Sequence, residues 1–157
     1  MPPAPREALA ASVAPLPAAP RGLDAELLLH VPSDVDRVGE AVDIVASQVA
    51  NLFTDPRVVR FNLRVALGEA LANAILYGTR SDPAKLVAVR VRFGRSAIEM
   101  EVNDDGEGFD PDAVPDPTAP ERINGPGGRG IFIIRKLVDE VHFNEKGNTI
   151  CMTLRRA

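Results

Sequence analysis

Cysteine occurs once in this 157-residue chain, at Cys151, so no internal disulfide and no cysteine-rich zinc site can form. Its place in a strand-like run suits an inert packed thiol better than a nucleophile. Long apolar runs are missing as well, since none approaches the ~18 residues of a membrane span. The start, MPPAPREALA, lacks the charged head and apolar middle of a signal peptide. A cytoplasmic location is the expectation. No block of Lys and Arg stands out and the net charge is −4, which argues against a nucleic-acid or anionic-membrane surface. What remains, 45% hydrophobic and 25% charged residues, is the balance of one globular domain with a real core.

Proline is plentiful but unevenly placed, with six residues in the first twenty and five between Pro111 and Pro126. Two non-regular segments follow from this. Residues 1–22 read as a disordered Pro/Ala-rich tail outside a domain of residues 23–157. The second segment lies inside the domain and is longer than the about 12 to 15 residues at which a structureless connection needs a functional or disorder explanation.

Between and beyond them the periodicity switches in a regular order. AELLLHV is a candidate first strand, and Ser33-Asp34 starts a helix with Val35, Val38, Val42, Val45, Val49 and Leu52 on one side. A second helix ends near Gly78, a residue suited to a C-cap. KLVAVRVRFG and SAIEMEVND alternate as a hairpin, with Val87, Val89, Val91, Phe93, Ile98, Met100 and Val102 facing inward. GIFIIRKLVDEV reads as a third helix, and VHFNEK and NTICMTLRR as a second hairpin around Gly147. Strands gathered in hairpins argue for an α+β fold, a two-layer sandwich with helices on one face of a mixed, mainly antiparallel sheet.

The second helix sets polar side chains into an apolar run, FNLRVALGEALANAILYG from Phe61 to Gly78. At about 100° per residue, Asn62, Glu69 and Asn73 fall within about 40° of one another. A buried polar stripe requires partners, whether a ligand, a metal or a hydrogen-bond network; a solvated edge requires none. NDDGEGFD follows the second strand of the hairpin. There Gly106 and Gly108 allow a sharp backbone turn, and Asp104 could accept from a planar amino group such as that of adenine. NGPGGRG leads into the third helix, where bare amides and a positive dipole suit phosphate, with Arg122 and Arg129 as cations in or beside the loop. An Asp-Gly turn and a flexible loop end are the ordinary alternatives for these two clusters. Together they fit one ligand: a base-reading carboxylate, a phosphate cradle, and a helix offering Asn73 to Mg²⁺ and Glu69 as a base.

Glu69-Ala-Leu-Ala-Asn73 resembles the N box, Asp104-Asp-Gly106-Glu-Gly108 the first glycine box and Gly128-Arg-Gly130 the second glycine box of the GHKL (Bergerat-fold) ATP-binding superfamily. The likeness runs from about Leu23 to the C-terminus. Asn-Ala-Ile-Leu-Tyr-Gly and GGRGIFIIRKLVDEV resemble the anti-sigma-factor serine/threonine kinases of bacterial partner-switching systems. The resemblance implies Glu69 as general base, Asn73 as Mg²⁺ ligand and Asp104 as adenine reader, with Gly106 and Gly108 shaping that pocket. It implies phosphate-binding amides at Gly128 and Gly130, support of the adenine edge by Thr149, and an ATP lid over residues 110–126. Tyr77 stands where these kinases often have His. Leu76 stands where histidine kinases often carry Lys; such enzymes commonly lack a carboxylate matching Glu69, and no dimerisation helix pair presents His30 or His142 as a phospho-acceptor.

The implied function is phosphorylation by MgATP of a Ser or Thr on a STAS-domain anti-anti-sigma protein, together with sequestration of a sigma factor. A nucleotide-dependent binding module that transfers phosphate poorly or never is the alternative, against which Glu69 speaks because such a module needs no base. The resemblance also implies a homodimer face on the first strand and first helix, although their apolar stripe is explained as well by the domain's own core.

Overall fold

The computed structural model describes residues 8–16, 23–50, 52, 55–104 and 128–155. Six strands form one sheet in the order β1-β2-β3-β4-β6-β5: β1 (Ala11–Pro15), β2 (Leu23–Pro32), β3 (Leu86–Gly94), β4 (Ala97–Asn103), β5 (Glu140–Phe143) and β6 (Thr149–Arg155). All pairings among them are antiparallel, so the α+β fold holds while the mixed sheet becomes an antiparallel one.

Strict alternation puts one side of every central strand into the core. Leu27, Val91, Met100 and Met152 form one cross-strand row, and Leu29, Val89, Val102 and Ile150 the next. All eight are buried. The opposite side carries Glu26, Arg90, Arg92, Glu99 and Glu101, and Arg92 Nε lies 3.2 Å from Glu26 Oε2. A half-exposed ion pair of this kind contributes little beyond solubility.

Among the described residues the apolar face is covered by α1 (Val38–Val49), α2 (Arg64–Asn73) and α3 (Gly128–Leu137). Helix α1 buries Ala41, Val42, Val45, Ala46 and Val49. Val35, expected on that stripe, instead lies in a 3₁₀ turn (Val35–Arg37) and is exposed; Asp34 caps the turn by accepting from Asp36 N–H at 2.9 Å. Helix α2 continues through a widened last turn (Ala74–Gly78), where Thr79 N–H reaches Ala74 O at 2.8 Å. Turns of this type often mark functional sites.

Two expectations need correction. The supposed tail contributes β1, an exposed edge strand paired with β2, and Leu9 just before it packs on the core and donates its N–H to Glu40 Oε1 at 3.1 Å. Backbone pairing and one apolar anchor outweighed the disorder-like composition, and Pro15 is tolerated because an edge strand has a side that needs no donor. Helix α3 stops at Leu137, short of the Val141 expected. Asp139 N–H donates to Thr153 O at 2.9 Å and the chain joins the sheet as β5, so strand pairing overrode the helical pattern.

The candidate nucleotide site

Helix α2 holds Glu69 and Asn73 one turn apart, both half-buried, while Ala66, Leu67, Ala70 and Leu71 anchor its other side in the core. Helix α3 passes antiparallel along it. A Cβ built on Gly130 would lie 2.9 Å from Asn73 Nδ2 and 3.0 Å from Glu69 Oε2, so the bare α-carbon of Gly130 is what lets the two helices meet there. Gly128 opens α3 and Gly130 is buried, which brings the first turn of that helix to the Glu69 carboxylate and the Asn73 amide. The positive dipole end of α3 therefore adjoins a carboxylate and an amide, a setting suited to an anion. Arg129 is on the same turn and exposed.

Asn62 leaves the stripe predicted for it. Its Nδ2 donates to Leu137 O at 3.1 Å and so caps α3. The polar trio divides into one structural bond and one candidate site.

A second edge of the site lies where β4 and β6 meet. Asp104 follows β4 directly, and its N–H donates to Asn148 O at 3.0 Å. Asn103 pairs with Thr149 in the ladder and donates through Nδ2 to Thr149 Oγ1, and strand alternation puts both side chains on the face of the sheet opposite to that of Asp104. Asn144 stabilises the turn before β6 by accepting from the N–H groups of Gly147, Asn148 and Thr149 at 2.8, 3.0 and 3.2 Å. The Asp104 carboxylate rests on Gly78 at the end of α2. Nine residue steps along α2 and its widened last turn, about 13 Å of helix, thus separate Glu69 from the Gly78 contact with Asp104.

Glu69, Asn73 and Gly130 form one group, and Asp104 and Gly78 another, whereas Thr149, expected beside Asp104, bonds to Asn103 on the other face of the sheet. Gly106, Gly108, Arg122 and the lid over 110–126 lie outside the described residues. Asn103, Asn144 and the spatial role of Gly78 were not foreseen, because each depends on a strand register or helix crossing that local pattern does not carry. Tyr77 and Leu76 are exposed. His30 and His142 are exposed on the sheet's outer face. Cys151 is half-buried there, and its thiol is pushed above the usual range first by burial and then by Glu99 and Glu101. A concavity of about 490 Å³ at the far end of the sheet, lined in part by Glu99, Glu140, His142 and Arg155, shares no residue with the candidate site.

Among the described residues no three His, Cys, Asp or Glu side chains cluster as a metal cage. The donor set suits Mg²⁺ held by a single protein oxygen together with substrate phosphates.

The family described as histidine kinase-like ATPase domain matches residues 31–154, and the chain belongs to it. Within that family it falls in the branch of RsbW-type kinases and anti-sigma F factors. It is 31% identical over 117 residues to "Anti-sigma F factor" of Bacillus cytotoxicus, covering 69% of this chain and 77% of that protein. "Serine-protein kinase RsbW" of Oceanobacillus iheyensis is 28% identical over 130 residues, 79% of this chain and 82% of the relative. The protein of that name from Bacillus licheniformis is 34% identical over 104 residues, 59% of this chain and 62% of the relative. No helix among the described residues is long and apolar enough to cross a membrane.

Proposed function

We propose that this chain phosphorylates a Ser or Thr of a STAS-domain anti-anti-sigma protein and, in the alternate state of the same switch, sequesters a sigma factor. As a member of its branch it is an ATP-binding serine/threonine protein kinase. The observation that supports the finer reading is the meeting of Glu69, Asn73 and Gly130.

In this reading Asp104 accepts a hydrogen bond from the adenine amino group, with Gly106 and Gly108 next to it in the chain. The amides of Gly128 and Gly130 bind phosphate, and Arg122 and Arg129 supply positive charge. Asn73 would hold Mg²⁺, which when bound neutralises phosphate charge and orients the phosphoryl group. Glu69 removes the proton from the attacking hydroxyl as its oxygen bonds to phosphorus and the bond to the ADP oxygen breaks. Closure of residues 110–126 would exclude water. The setting is the cytoplasm, and a homodimer through β2 and α1 belongs to the same proposal.

Incubation of the chain with γ-radiolabelled ATP and candidate STAS-domain proteins, with Glu69→Ala as control, tests it. Label on a Ser or Thr that disappears in the control supports the kinase. Nucleotide-dependent capture of the partner without label would instead establish a binding module.

A further inference from the structure

Gly78 ends the last turn of α2, and its backbone does not require glycine. Left-handed conformations among the described residues occur at Arg80, Ser81 and Gly147, so the chain reverses just after Gly78 with other residues. The helix does end at Gly78 as expected, but without a left-handed glycine. Space is what demands glycine there. A Cβ built on Gly78 would run into the Asp104 carboxylate, with Oδ1 at 2.6 Å and Cγ and Oδ2 nearer still, where ordinary contact begins at 3.4 Å.

The main chain of Asp104 is not free to retreat. Its N–H is bonded to Asn148 O, and the preceding Asn103 is paired with Thr149 across the ladder. Any side chain at position 78 must turn the carboxylate to another rotamer. Helix electrostatics does not favour the contact either, since the negative end of the α2 dipole faces the carboxylate.

We propose that Gly78 is a positioning residue for base recognition: its bare α-carbon sets the direction of the Asp104 carboxylate, and with it the preference for a purine that presents an amino group over one that presents a carbonyl. The proposal rests on the reading of Asp104 as the adenine acceptor. A donor meeting the carboxylate is bound, whereas the carbonyl of guanine would face it with like partial charge. Alanine would be the better helix former in this turn, but it would displace the acceptor.

The test is titration of the full chain with ATP and GTP, alongside thermal melting, for Gly78→Ala, Asp104→Ala and the double variant. Gly78→Ala should melt cooperatively at or above the wild-type temperature. Its ATP affinity should fall about tenfold or more, as expected for loss of a charge-assisted hydrogen bond, with GTP affinity unchanged. In the Asp104→Ala background, Gly78→Ala should add no further loss, because no carboxylate remains to be displaced. If Asp104→Ala loses ATP while Gly78→Ala binds it as wild type does, this proposal falls and the adenine reading of Asp104 stands. If Asp104→Ala itself binds ATP normally, both fall. Additive losses in the double variant, or a Gly78→Ala protein without a cooperative melt, would assign Gly78 to the fold and overturn the proposal.

Discussion

Asn62 Nδ2 donates to the main-chain oxygen of Leu137 at 3.1 Å, joining the start of the α2 run to the last residue of α3. The other end of α3 meets the same helix where Gly130 touches Glu69 and Asn73. Helix α3 is thereby held to α2 at both ends. Asn62→Ala should lower stability by about 1 kcal/mol, the usual net value of one such bond, read as a shift in the denaturant midpoint. An unchanged midpoint would mean that apolar packing alone fixes α3.

Glu69→Ala separates binding from chemistry. ATP affinity should change little, while phosphoryl transfer to the partner falls by about 10²- to 10⁴-fold, the range general bases supply. Single-turnover rates at saturating ATP are the measurement. Transfer at the wild-type rate would remove Glu69 from the base role.

Gly130→Ala probes the closest approach of the two helices. The new Cβ would sit 2.9 Å from Asn73 Nδ2 and 3.0 Å from Glu69 Oε2, and both side chains would have to move. Helix propensity improves by roughly 0.5 to 1 kcal/mol, so the melting temperature should hold or rise. If Glu69 and Asn73 act in the transfer as proposed, misplacing them by a fraction of an ångström to an ångström should reduce it by about 10²-fold. A variant as active as wild type would show that the pair tolerates displacement.

Cys151 should alkylate slowly near neutral pH. Burial and the neighbouring Glu99 and Glu101 raise its folded-state pKa, which reduces the reactive thiolate. Because that shift favours the protonated thiol, its contribution to stability is present below the ordinary thiol range and is lost as pH rises from that range through the raised folded-state pKa. Iodoacetamide labelling against pH, compared with urea-unfolded protein, checks both the rate and its cause. Equal rates in the folded and unfolded protein would contradict the burial.

Local pattern made much of this molecule legible. The alternation of Val87, Val89 and Val91 against Arg90 and Arg92 is a direct image of a half-buried strand, and the core places those valines inside. Glu69 and Asn73 stood out because carboxylate and amide are costly on a half-apolar helix. Other residues could not be read in the same way. Ala11–Pro15 buries neither of its faces, so its strand rests on the backbone pairing that the edge of β2 offers. Val138 to Val141 continues the helical pattern of α3 yet turns into the sheet, where β6 provides backbone partners.

The sequence by itself determined the α+β class, the two hairpins and the chemical types gathered for a nucleotide, since these follow from period, turn residues and side-chain chemistry. Only the tertiary structure decided which polar residues face one another. It sent Asn62 to a helix end, set Glu69 and Asn73 against Gly130, and laid Asp104 on Gly78. The physical reason is that such contacts arise from helix crossing and strand register across 26 to 75 residues of chain, distances over which local periodicity carries no information.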